Sequence, residues 1–173
     1  IIIVFASLVN LLNPDVDSKE SKIGFSLIIS GMIVIIMASS YRYGNIYIFD
    51  SRNVVLGISG AFFGLGITIL PLISAILVRI FIGGVGLPLG IVEIFFATII
   101  GLMWPYISSK IKVKNKINRA CILSIFVNLF SLVSVIIVGL FTNELGDVFL
   151  VILSYHILII LIGIVVQFLL FNF

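Results

Sequence analysis

Long apolar runs, each near the length of a bilayer crossing, follow one another through almost the whole chain and are separated by short polar loops. A spanning helix needs about 20 mostly apolar residues. In hydrocarbon every backbone N–H and C=O must be paired within the protein, so runs of this kind fold as helices. Residues 23 to 39, 88 to 107, 120 to 141 and 147 to 171 each read as one span. Residues 1 to 12 are apolar but would rise only about 18 Å as a helix, so this span is expected to begin upstream and the chain to be a piece of a longer protein. The run from Val54 to Ile82 poses the main question. As one straight helix it would exceed about 40 Å, more than the hydrocarbon is thick. Gly57, Gly60, Gly64, Gly66 and Pro71 supply the means to bend or break it, giving either a tilted, kinked helix or a short half-helix leading into a full one. The expected fold is all-α: a single polytopic transmembrane helix bundle over residues 1–173, with about six spans and a kinked or broken third.

Composition narrows the class further. Hydrophobic residues make up 62% of the chain and charged ones 10%, against about 45–50% and about a quarter in soluble domains. The net charge is +3, and the basic residues cluster instead of spreading, which argues against nucleic-acid binding. Lys110, Lys112, Lys114, Lys116 and Arg119 fall in one short loop, which the positive-inside rule puts in the cytoplasm. The acidic turn at residues 142 to 147 and the glycine turn Gly83–Pro88 then face outward, and the C-terminus faces inward. Upstream the rule is indifferent: the sides of Lys19, Lys22, Arg42 and Arg52 depend on whether residues 54 to 82 cross once or twice. Cys121 is the single cysteine, which excludes an intrachain disulfide and cysteine-rich metal sites.

Arg79, Glu93 and His156 are the ionisable residues inside the apolar runs. A charge at membrane depth costs at least about 2.5–3.5 kcal/mol, so each needs a reason to be there. Arg79 precedes Gly83 by four residues and Glu93 follows Pro88 by five, so a tight hairpin sets them at similar depth. They could form an ion pair or share a polar pocket, or Arg79 could snorkel to the interface with Glu93 packed beside it. Gly83, Gly84 and Gly86 could offer backbone N–H groups to an anion, a small carboxylate for instance, or simply form a tight turn. Gly57, Gly60 and Gly64 suit close helix packing. His156 reads best as a buried, hydrogen-bonded histidine, the alternative being a titrating group in a polar cavity. Asn128 and Gln167 read as interhelical hydrogen-bonding residues. No phosphate loop, His-Glu-x-x-His or Gly-x-Ser-x-Gly motif is present, so neither catalysis nor a cofactor is expected in this chain.

The stretch Phe49-Asp50-Ser51-Arg52-Asn53, then Ser59-Gly60-Ala61-Phe62-Phe63-Gly64, then Arg79-Ile80-Phe81-Ile82-Gly83-Gly84-Val85-Gly86 resembles the LytS-YhcK type of transmembrane receptor domain. The resemblance covers about residues 45 to 108, with Asp50, Arg52, Phe63, Gly64, Arg79, Gly83, Gly84 and Gly86 at the matching positions. It implies a sensory input domain in a bacterial cytoplasmic membrane, joined to a cytoplasmic histidine kinase or diguanylate cyclase. A cognate response regulator, a homodimer, links to cell-wall control and a pyruvate-like carboxylate ligand follow from the same resemblance. Asp50, Arg52, Arg79, Gly83, Gly84, Gly86 and Glu93 are then the expected sensing residues. Two features stand apart from the family pattern: Pro71 is expected to interrupt the helix before Arg79, and Glu93 to neutralise the arginine that a carboxylate needs. A transporter subunit and a purely structural anchor are the competing readings.

Overall fold

The structure, a computed structural model, describes residues 18–43, 47–84, 86–110, 122–123, 125–133, 136, 153–158 and 160–161. The expected span at 1–12, the basic loop beyond Lys110, Cys121, the 142–147 turn and Gln167 lie outside the described residues.

Helix α1, Lys19–Ala38, starts where Ser18 caps it by accepting the Ser21 N–H at 3.2 Å, the usual use of serine ahead of a helix. It buries Phe25, Ile29, Ile33, Ile36 and Met37 along one face, at the spacing a helix needs to present one stripe to its neighbours. Ile23, Leu27, Val34 and Ile35 are exposed on the remainder. A helix that is apolar all round belongs in lipid.

Between α1 and the next helix the chain forms a feature that an all-helical reading omits. Strands β1, Tyr41–Tyr43, and β2, Tyr47–Phe49, pair antiparallel, with Tyr41 opposite Phe49 and Tyr43 opposite Tyr47. Aromatic and β-branched residues favour an extended ladder, and pairing in a ladder satisfies backbone groups that a loop near hydrocarbon would leave open. Residues 41–43 and 47–49 thus form a small two-stranded ladder on an otherwise helical architecture.

The long apolar run resolves into two helices, α2, Arg52–Phe63, and α3, Leu65–Ile82. The break falls at Gly64, whose φ of 71° is a left-handed conformation that glycine adopts without strain. Of the two expected alternatives, the structure adopts the short helix leading into a full one. Pro71 does not interrupt α3, contrary to expectation: the helix continues through it to Arg79 and beyond. Proline has no N–H, which deprives the Ile67 carbonyl of its intrahelical donor. Ser26 of α1 donates its hydroxyl to that carbonyl at 2.8 Å, so a neighbouring helix mends the gap and the proline is tolerated. Close to the break, Ser59 and Thr68 share a 2.8 Å hydroxyl contact and Thr68 also donates to the Gly64 carbonyl.

These contacts set the helix directions. Ser59 faces Thr68 across the break, so α2 and α3 run antiparallel. Phe25 stacks on Phe63 and Ser26 meets Ile67, placing the first third of α1 beside the break. The buried residues that follow, Ile29 to Met37, can be covered only if α1 continues alongside α3 in the same direction. Helix α4, Leu87–Lys110, returns antiparallel to α3 after the glycine turn. It also contains a tolerated proline, Pro105. Residues 54 to 82 therefore pass down and back instead of crossing once. Lys19 and Lys22 come to the same end of the bundle as Lys110, and Arg52 to the other.

Helices α2 and α4 lie side by side in the same direction, in contact through their backbones. A Cβ on Gly60 would stand 2.9 Å from the Leu102 nitrogen and 3.2 Å from the Thr98 oxygen, and one on Gly101 would collide with the Gly57 carbonyl. Gly57 and Gly60 thus lie where the backbones of α2 and α4 meet. At Gly64 a Cβ would meet nothing within 4 Å, and the residue forms the break between α2 and α3. Residues 125–133 form helix beyond α4 and pack antiparallel on it, Phe130 stacking on Phe96 at 4.5 Å and Phe126 lying against Trp104.

Candidate functional site

The end of the bundle opposite Gly64 gathers the charges. Helix α2 begins there, and Asp50, just ahead of it, accepts from the Arg52 backbone N–H at 3.0 Å while also pairing with the Arg52 guanidinium. A carboxylate at a helix N-terminus suits both the open N–H groups and the helix dipole. This local clamp holds the arginine so that it folds into the bundle, where it is only 3% exposed. Its second terminal nitrogen then stands 3.7 Å from Glu93 of α4.

Glu93, 8% exposed, draws together three elements. Asn53 of α2 donates its amide to one carboxylate oxygen at 3.4 Å, and Ser131 donates its hydroxyl to the other at 3.2 Å. The spacing around the glycine turn led to the expectation of Arg79 beside Glu93. The structure brings Arg52, Asn53 and Ser131 to Glu93, and none of the three follows from the hairpin argument.

Arg79, 2% exposed, turns back toward the end of its own helix and donates to the Gly83 carbonyl at 3.1 Å. Its side chain lies flat on α4 over Gly90: a Cβ on Gly90 would come within 3.0 Å of its Cδ and would overlap its Nε. The arginine is buried, which sets aside the reading in which it snorkels to the interface. Asp50 lies within Coulombic reach of Arg79 as well as of Arg52, and Tyr155, on the helical stretch 153–158, within reach of Asp50 and Arg52. His156 beside it is buried, in keeping with the blander expectation.

In the glycine turn the Gly83 N–H is used within the protein. The Gly83 N–H donates to the Arg79 carbonyl and caps α3, with φ of 68° at Gly83 and 88° at Gly84, a common helix ending. Gly86 is buried, its carbonyl accepting the Gly90 N–H of the first turn of α4. What the turn offers the cluster is the Gly83 carbonyl, which holds Arg79, in place of the Gly83 N–H.

Asp50, Arg52, Arg79 and Glu93 thus form one buried neighbourhood about a turn below the Gly83 end, with Gly83 at its rim. Asn53, Gly90 and Ser131 were missed as members. Asn53 could have been found from its place next to Arg52, and Gly90 from being a small residue at the depth of Arg79 across the hairpin. Nothing in the sequence pairs Ser131 with Glu93. Buried polar atoms in this neighbourhood, Arg52 Nε and Asn53 Oδ1 among them, have no hydrogen-bond partner. Among the described residues there is no grouping of three or more His, Cys, Asp or Glu side chains fit to hold a metal ion.

Three described helices, Lys19–Ala38, Leu65–Ile82 and Leu87–Lys110, are long and apolar enough to cross a membrane, and Arg52–Phe63 is a shorter apolar helix. No curated protein and no solved structure matches the chain. The model of the family 5TM-5TMR_LYT, described as 5TMR of 5TMR-LYT, matches residues 5–172. Its designation counts five spans where hydropathy leads one to expect about six. With nearly its whole length matched, the chain belongs to this family and is a multi-pass membrane receptor domain of the LytS type.

Proposed function

We propose that this domain is the sensory input region of a LytS-type sensor histidine kinase in a bacterial cytoplasmic membrane, and that its stimulus is a small carboxylate bound at the Arg52–Arg79 end of the bundle. The observation that carries the reading is the burial of two guanidinium and two carboxylate groups where α2, α3 and α4 converge. Such groups are expensive at membrane depth and mark functional sites there. Placing the basic loop after α4 inside by the positive-inside rule puts the cluster at the outer end. Lys19 and Lys22 then fall inside and Arg52 outside.

Binding would favour one of two packings of the helices and so bias a cytoplasmic kinase in the same polypeptide, acting through a homodimer and a cognate response regulator. Membership of the family supports the receptor part of this reading; the kinase, the regulator and the carboxylate are parts of the proposal. A diguanylate cyclase is the other output that the family resemblance allows.

Thermal-shift and calorimetric screening of the purified protein against small carboxylates tests the reading, with Arg79→Ala as control. At least one carboxylate should stabilise the wild type and leave the variant unmoved. Equal responses of both proteins to every compound would sink the proposal.

A further inference from the structure

The guanidinium groups in this neighbourhood already face resident carboxylates: Asp50 and Glu93 stand against Arg52, and Asp50 lies within Coulombic reach of Arg79. A carboxylate left without a cation in a buried site is strongly unfavourable. An entering carboxylate therefore competes with a resident one for a guanidinium.

Asp50 and Glu93 are not equivalent. Asp50 is two residues from Arg52 and is tied to both its backbone and its side chain, so the clamp travels with α2 whatever the other helices do. Glu93 reaches Arg52 from another helix, at 3.7 Å, and its oxygens also take the Asn53 amide and the Ser131 hydroxyl. A guanidinium, an amide and a hydroxyl converging on one carboxylate is the set of donors that a free carboxylate would use.

We infer that Glu93 is a built-in stand-in for the ligand: its carboxylate occupies the Arg52–Asn53–Ser131 donor set in the resting protein, and an external carboxylate binds by displacing it. This rests on the carboxylate reading above and names the residue that sets the affinity of the site. Displacement would also separate α4 from α2 at this end while the glycine seam between Gly60 and Gly101 holds them together further along. The charged end can thus open without the bundle coming apart.

Calorimetry with sodium lactate on the full chain in nanodiscs tests the inference, with lactamide as the uncharged comparison. Glu93→Gln keeps the side-chain shape but removes the competing carboxylate charge, and should bind lactate about tenfold more tightly than wild type, within the usual range of coupling between competing interactions. Its affinity for lactamide should not change. Glu93→Asp, which keeps the charge, should show no such gain. Glu93→Ala, which removes the competing carboxylate and leaves all three donors in place, should show a gain of the same direction and serves as the deciding variant if Glu93→Gln does not fold. Lactate binding to wild type with no gain in Glu93→Gln, or none in Glu93→Ala where that variant decides, would overturn the inference and leave the carboxylate site standing. Failure of lactate to bind wild type and all variants would instead remove the carboxylate reading, and this inference with it.

Discussion

The two ends of the helix bundle handle buried polarity in opposite ways. At the Gly64 end the polar groups are neutral and the partnerships are private: Ser26 serves the Ile67 carbonyl, and Ser59 and Thr68 serve each other and the break. The Ser26 hydroxyl there answers a defect in helix hydrogen bonding caused by a proline. At the Arg79 end the groups are ionised and shared, with Glu93 alone drawing on residues of α2 and of the helix at 125–133. A private neutral bond mends structure and has little reason to change partners. A shared charged group has several partners and can be redistributed by one more ion, which is what a receptor requires.

The largest effect that would test this contrast comes from removing a cation at the charged end. Arg52→Ala leaves Asp50 and Glu93 buried without their common guanidinium, and breaking a buried pair in this way costs about 3–5 kcal/mol. Denaturant or thermal unfolding in detergent micelles should show the loss. A change below about 1 kcal/mol would mean that the cluster is better hydrated than its burial indicates.

A smaller effect is expected along the seam joining the ends. Gly60→Ala drives a methyl group against the α4 backbone at Leu102, and overpacking of this kind costs about 1–3 kcal/mol. Because it pushes α2 away from α4, it should also weaken ligand response at the distant charged end. Loss of stability with unaltered response would show that the seam and the site are independent.

The smallest effect belongs to the neutral end. Ser26→Ala should cost about 0.6–1.7 kcal/mol, the range for interhelical hydrogen bonds in membranes. In a Pro71→Ala background, where Ile67 regains an intrahelical donor, the same substitution should cost close to nothing. Equal costs in both backgrounds, read as a double-mutant cycle, would disprove the account of why this proline is tolerated.

Much of the architecture is legible without coordinates, because hydrocarbon leaves a chain few options. The apolar runs show the helices, and Gly64 lies among the residues expected to break the longest of them. Pro71 illustrates the limit. Its effect on α3 depends on whether a donor reaches the Ile67 carbonyl, and that donor, Ser26, lies 41 residues away in sequence. The hairpin at Tyr41–Phe49 was hidden for another reason: short aromatic stretches suit a membrane interface and a β-ladder equally well.

The candidate site divides along the same line. Asp50, Arg52, Arg79 and Glu93 stand out in the sequence through motif resemblance or because a charge within an apolar run demands an explanation. Their arrangement does not, since a hairpin argument reaches only neighbours joined by a short turn, whereas Arg52 meets Glu93 across two intervening turns and the whole of α3.

By itself the sequence determined the solvent in which this protein lives and which groups are too costly there to be idle, because transfer free energies depend on composition and local runs. Only the tertiary structure decided that α2 doubles back along α3, that the Gly83 turn caps a helix, and that Glu93 sits on Arg52, because each depends on contacts between residues far apart along the chain.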